Sequence, residues 1–253
     1  MESFERKKLA VHIKNARISE RKDDIDTYVL ERTGKEYMYE MGGLKSLFKY
    51  IRSLDSNIVL DVGAGKGTAS YRLKKMPIAS GLDLHVTVLR NSAEISKYIP
   101  QEKIHVTDIE TLRGLKPLSV GGIIASSSIA YSVLPEAAAK RIDEVLISGG
   151  VVKATFAPKG KGGRNSGFVV HDQVEFETLF RNLGYDVASE QFSFTALGTS
   201  NNEFKSNSIL IAIKPGNSKA PSAKKLLNSD LEGIKNASIG RARHGPVFDV
   251  KDF

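Results

Sequence analysis

Val59-Leu60-Asp61-Val62-Gly63-Ala64-Gly65-Lys66-Gly67-Thr68 is the stretch on which the fold turns. An apolar run meets a carboxylate, then three glycines at every second position, then a segment with helical character over residues 68–75. Glycine permits a tight turn and lets a ligand come close to the backbone. The helix that follows presents free N–H groups at its start. The pattern therefore places a cofactor site at the carboxyl end of a strand. A phosphate-binding P-loop is excluded, because Lys66 precedes Gly67 and no Ser or Thr follows the lysine. A dinucleotide fingerprint fits Gly63 and Gly65, but its third glycine position holds Thr68. A glycine-rich turn without a ligand is the plain alternative.

Upstream, Leu44, Leu47, Phe48 and Ile51 recur at helical spacing and predict an amphipathic helix over residues 44–54. Before it lie Tyr37, Met38, Tyr39, Met41 and a Gly42-Gly43 step. Downstream, short apolar runs alternate with helical segments. Strands are expected at 58–60, 79–84, 104–106, 120–126, 151–156, 188–195 and 208–213. Helices are expected at 86–97, 135–147 and 174–183. This alternation argues for a mostly parallel sheet covered on both faces, and the last two strands leave room only for an antiparallel hairpin. The organisation expected is an N-terminal helical extension over 1–56, an α/β core over 57–213 and a basic, flexible tail over 214–253, in which 223–231 has the makings of a short helix.

The Gly-x-Gly-x-Gly spacing led by Asp61 resembles motif I of the class I S-adenosylmethionine-dependent methyltransferases. The resemblance runs from about residue 57 to 213. It implies a three-layer, Rossmann-like α/β fold with a seven-stranded sheet whose last strand is antiparallel. It also implies that Asp61, Gly63, Ala64, Gly65 and Gly67 curl under the methionine part of S-adenosyl-L-methionine, with S-adenosyl-L-homocysteine as product. Asp83, 20 residues after Gly63, is followed by Leu84 and is read as the acid at the end of strand two. A carboxylate there accepts two hydrogen bonds from ribose hydroxyls, whereas helix capping is the competing role. Asp108 and Ile109 resemble the family's adenine-binding pair, with a turn residue as the alternative for Asp108. Ser126 and Ser127 are cofactor-side polar candidates. The helix ahead of Gly149-Gly150 and the Gly184-Tyr185 step resemble the family's later elements, with Gly149 expected to end its helix.

The acceptor is less legible. Strand four lacks the Asn/Asp-Pro-Pro-aromatic signature of adenine and amide N-methylation, and its Leu134-Pro135 step resembles small-molecule enzymes. Tyr37, Tyr39 and Tyr131, with the cationic loop residues Lys159, Lys161 and Arg164, are the expected acceptor-side residues. Tyr131 and His171 are the candidate catalytic groups, against packing or capping roles for both. The chain has no cysteine, and its five histidines are not at metal-ligand spacing, so no metal is expected. The net charge is +8, and residues 214–253 hold eight Lys/Arg against four Asp/Glu, half of the excess. A basic tail attracts nucleic acid. Three functions are thus carried: a methyltransferase for a small-molecule O or N acceptor, which is favoured; one for RNA or protein; and a non-catalytic S-adenosylmethionine-binding interaction module. No apolar run is long enough for a membrane span, and a cytoplasmic protein is expected.

Overall fold

The computed structural model describes residues 44–64, 70, 73–74, 77–89, 95–97, 99–126, 128–156, 171–195 and 204–244. Helix α1 (Leu44–Ile51) precedes strand β1 (Ile58–Asp61). Then come β2 (Asp83–Val88), β3 (Ile104–Val106) and β4 (Val120–Ser126). Helix α2 (Pro135–Val145) leads into β5 (Leu146–Phe156), and helix α3 (Gln173–Asn182) into β6 (Asp186–Thr195). Strand β7 (Phe204–Ile213) and helix α4 (Ala223–His244) complete the order. The seven strands form one sheet in the order β3-β2-β1-β4-β5-β7-β6. Strands β1 to β5 run parallel, and β7 is antiparallel to both β5 and β6.

Alternation along the strands sends consecutive side chains to opposite faces. Leu60, Ile123, Val152, Ala154, Leu210 and Ala212 pack into one apolar layer with α2 and α3, through Ile142, Phe176 and Phe180. Val59, Ile124, Val151 and Ile211 form the other layer with Leu44, Phe48 and Ile51 of α1 and Leu226 and Leu227 of α4. The fold is a three-layer α/β sandwich, as the alternation of elements predicts.

Small residues set how closely α1 and its exit loop lie on the sheet. A Cβ on Gly121 would overlap the carbonyl oxygen of Ser56, and one on Gly122 would overlap Cδ1 of Ile51. The Ser56 oxygen is backbone and cannot swing aside. Gly121→Ala is therefore expected to destabilise the protein by about 3 kcal/mol, at the upper end of overpacking effects, measured by urea denaturation.

The structure corrects the sequence reading in three places and extends it in a fourth. Residues 86–88 are strand, not helix: Val86 and Val88 pair with β3, and Val86 also pairs with Asp61. The β-branched run Val86-Thr87-Val88 suits a pleated, buried ladder. The strand expected at 79–84 begins only at Asp83, after a 3-10 turn over Pro77–Ala79 and Gly81 at φ +78°. Gly149 is left-handed at φ +76°, but it lies inside β5, after α2 has ended. There the Tyr50 hydroxyl donates to its carbonyl oxygen at 2.7 Å. In the tail, the short helix expected over residues 223–231 is present as the start of α4, which runs on to His244 and docks through buried Ala223, Leu226, Leu227 and Asp230. Among the described residues, no helix is long and apolar enough to cross a membrane.

Candidate functional site

From β1 the chain runs to β2 and β3 on one side and then returns to β4 on the other. The turns after β1 and β4 therefore diverge at the carboxyl edge, which is where open α/β sheets form their binding crevice. Asp61 closes β1 at this point. Its Oδ2 accepts a hydrogen bond from Ser70, while Oδ1 is buried with no hydrogen-bond partner among the described residues. Burial pushes the Asp61 carboxyl up to about 6, with the Ser70 hydrogen bond opposing the rise.

The glycine turn is tied to both neighbouring strands. Gly63 N–H donates to Thr87 Oγ1 at 3.0 Å, and Ala64 N–H donates to the Thr87 carbonyl oxygen at 3.0 Å. Gly63 has φ +72°, and a Cβ there would sit 2.6 Å from Cβ of Ser128. Ser128 Oγ in turn donates to the Val62 carbonyl oxygen at 2.5 Å. The missing Cβ of Gly63 thus makes room for Ser128, a residue of this chain, as well as relieving backbone strain. Thr87 and Ser128 were not among the residues read from the sequence. Thr87 was findable: Asp83, His85 and Thr87 alternate with Leu84, Val86 and Val88, a period-two signal.

Asp108 lies just past β3, at the same edge. Its Oδ1 accepts from Thr111 N–H at 2.8 Å and from Thr111 Oγ1 at 2.7 Å, which builds a local turn. Ile109 is buried in the apolar layer beside Val62 and Leu112. Glu110, buried and not anticipated, accepts from Val133 N–H at 2.6 Å and joins the loop after β3 to the loop after β4. Ser126 ends β4, with Oγ 3.3 Å from Thr155 Oγ1. Tyr131 packs half-buried on the apolar layer under the same loops.

Asp83 and Leu84 are not in the crevice. Asp83 opens β2 opposite Ile58, the first residue of β1, and Leu84 is buried in the opposite apolar layer. The spacing of 20 residues misplaced the acid, because β2 starts late and runs on through Val88. Asp83 is engaged locally. Lys103 Nζ donates to Oδ1, and His85 Nε2 lies 3.1 Å from Oδ2. Burial alone would raise the carboxyl, but the hydrogen bonds and charges of Lys103 and His85 hold it below its ordinary value. His85 Nδ1 lies 3.0 Å from His105 Nε2, and the two rings stack at 5.3 Å. Burial, and then the charge of His85, lowers the His105 pKa.

His171 also has a local role. Its Nδ1 lies 2.7 Å from Glu175 Oε2, its N–H donates to the Ala130 carbonyl oxygen, and its ring meets Phe176 edge-on. The capping role falls to its neighbour: Asp172 Oδ1 accepts from Glu175 N–H at 3.1 Å. Tyr37, Tyr39, Gly65, Gly67, Ser127, Lys159, Lys161 and Arg164 lie outside the described residues. Among the described residues, no group of three or more potential metal ligands occurs.

No family model matches the chain, and no curated protein matches its sequence. Its backbone does match solved structures. A chain in the complex between the Haloferax volcanii Trm112 methyltransferase activator and the putative methyltransferase is 15% identical, with TM-score 0.53. The match covers 78% of this chain and 100% of that one. A methyltransferase of Thermotoga maritima, described as a possible histamine N-methyltransferase, is 16% identical with TM-score 0.51, over 70% of this chain and 89% of that one. The [4+2]-cyclase SpnF is 16% identical with TM-score 0.52, over 70% and 81%. The fold is that of the class I S-adenosylmethionine-dependent methyltransferases.

Proposed function

We propose that this chain is an S-adenosylmethionine-dependent methyltransferase that acts on a small-molecule O or N acceptor. The observation that carries the reading is Asp61: a buried carboxylate with one oxygen unpartnered among the described residues, at the topological switch point, beside a glycine turn. Such an oxygen suits the α-ammonium group of the cofactor's methionine end. When bound, S-adenosylmethionine supplies a methyl group on a sulfonium, a good leaving group, so the protein mainly positions the acceptor. Tyr131, beside the loop after β4, is the described residue best suited to line an acceptor site. His171, held through Nδ1 by Glu175, remains a candidate general base, since a carboxylate in that position orients an imidazole for proton transfer. The site, and not the fold, carries the reading, since a [4+2]-cyclase shares the fold.

The test is calorimetric titration of the purified protein with S-adenosylhomocysteine. One site per chain is expected, and a folded protein that binds neither S-adenosylhomocysteine nor S-adenosylmethionine sinks the reading. The second reading, an RNA acceptor, draws on the excess of cations in residues 214–253. It would show as tight RNA binding that falls steeply with salt. A cytoplasmic setting accompanies either reading.

A further inference from the structure

The displacement of Asp83 leaves a question at the other half of the crevice: what stands where a ribose carboxylate would stand. The register answers it. Asp61 pairs with Val86, so Gly63, two residues on, is level with Val88. Val88 pairs with Val106, and its carbonyl oxygen accepts from Thr107 N–H, just ahead of Asp108. The residue that directly follows β2, one position past Val88, is Leu89. It is 52% exposed, one of four large apolar side chains exposed among the described residues. Asp83 is six positions earlier, about 20 Å back along the strand, and its two oxygens are taken by Lys103 and His85. Asp108 turns Oδ1 to Thr111.

We infer that Leu89 is the specificity-determining residue at the nucleoside end of the site, and that it meets the ribose by apolar contact without reading its hydroxyls. The inference rests on the cofactor reading given above. In a crevice of this kind, a carboxylate at the end of the second strand accepts hydrogen bonds from the ribose. A leucine accepts none. Binding then draws on the methionine end, through Asp61 and the glycine turn, and the nucleoside contributes contact area.

The consequence is a relaxed demand for the 2′-hydroxyl. A site built to hydrogen-bond a hydroxyl rejects an analogue lacking it by large factors, reaching about 10,000-fold. A site lined by an apolar side chain does not discriminate in this way. The experiment compares S-adenosylhomocysteine with its 2′-deoxy analogue by calorimetric titration, on the wild-type protein, Asp83→Asn and Leu89→Glu. Leu89 is exposed, so its substitution is expected to leave thermal unfolding nearly unchanged.

The wild-type protein is expected to bind the two ligands within about threefold of each other. Asp83→Asn is expected to bind both as the wild type does. Leu89→Glu is expected to favour the ribose form by about tenfold or more. Rejection of the deoxy analogue by about a hundredfold in the wild type, or loss of binding in Asp83→Asn with the fold intact, overturns this inference and leaves the cofactor reading standing. Failure of the wild type and Leu89→Glu alike to bind S-adenosylhomocysteine overturns the cofactor reading itself. Binding that appears only in Leu89→Glu overturns this inference, because the wild-type leucine then makes no useful contact with the nucleoside.

Discussion

Replacing Lys153 with alanine is expected to lower stability by about 3–5 kcal/mol, the range for breaking a buried ion pair from one side. Lys153 lies in the middle of β5, between Ile124 of β4 and Ile211 of β7. Both it and Asp230 of α4 are 2% exposed. Nζ donates to Oδ1 of Asp230 at 2.8 Å and lies 2.8 Å from Oδ2. The alanine variant leaves the Asp230 carboxylate buried opposite a cavity. Most of the loss is the desolvation of that orphaned charge, and only part is the attraction itself. The double variant Lys153→Met, Asp230→Leu separates these contributions. It fills the same space with apolar atoms and is expected to be as stable as the wild type or up to about 4 kcal/mol more so. Urea denaturation of the single and double variants measures both. If Lys153→Ala unfolds at the wild-type midpoint, α4 is not held to the sheet through this pair.

This ion pair also shows where sequence reading stops. Lys153 and Asp230 are 77 positions apart, and neither belongs to a motif. Lys153 reads as an interruption in the apolar run of β5, and Asp230 as one more charge in a polar tail. Only the docking of α4 explains both. Leu226 and Leu227 did carry the signal for that helix over residues 223–231, while its continuation to His244, through Gly233 and Gly240, was not legible. Local signals were read well elsewhere. Val59 to Gly63 gave the central strand and its turn, and the spacing of Leu44, Leu47, Phe48 and Ile51 gave α1. The misreading of β2 is instructive because two signals conflicted there. The acid 20 residues after Gly63 fitted a known spacing, while the alternation of Asp83, His85 and Thr87 with apolar partners placed the strand further on. The alternation reflects the physical environment of each side chain, polar toward the Lys103 and His105 side and apolar toward Val59 and Ile95, and it prevails. The contacts of Ser128 with Gly63, and of Glu110 with Val133, could not be read at all. They join loops whose approach depends on the strand order.

Asp61→Asn is expected to make the protein more stable at neutral pH while weakening cofactor binding by about tenfold or more, the worth of a hydrogen bond to a charged group. The opposition follows from burial. The folded-state carboxyl is raised to about 6 from its ordinary 3.8. Between those two values the folded protein keeps a proton that the unfolded chain has lost. Stability therefore falls as pH rises through this window and stays low above it. The whole fall is on the order of 3 kcal/mol. Asparagine does not ionise, so its stability lacks this slope. It can still accept from Ser70, but its amide N–H groups replace the unpartnered Oδ1 and need acceptors of their own. The net gain at neutral pH is therefore smaller, about 1–2 kcal/mol. The gap to the wild type should open from about pH 4 to pH 6 and then hold constant. Binding runs the other way. An ammonium group placed at Oδ1 needs the ionised form, so wild-type affinity for S-adenosylhomocysteine is expected to fall below about pH 6, with proton release on binding. The asparagine variant should show weak binding without that dependence. Denaturant midpoints and calorimetric titrations across this pH range test the two halves separately. Parallel pH–stability curves for the two proteins would show that Asp61 is not the raised carboxyl, and equal affinities would remove it from the binding site.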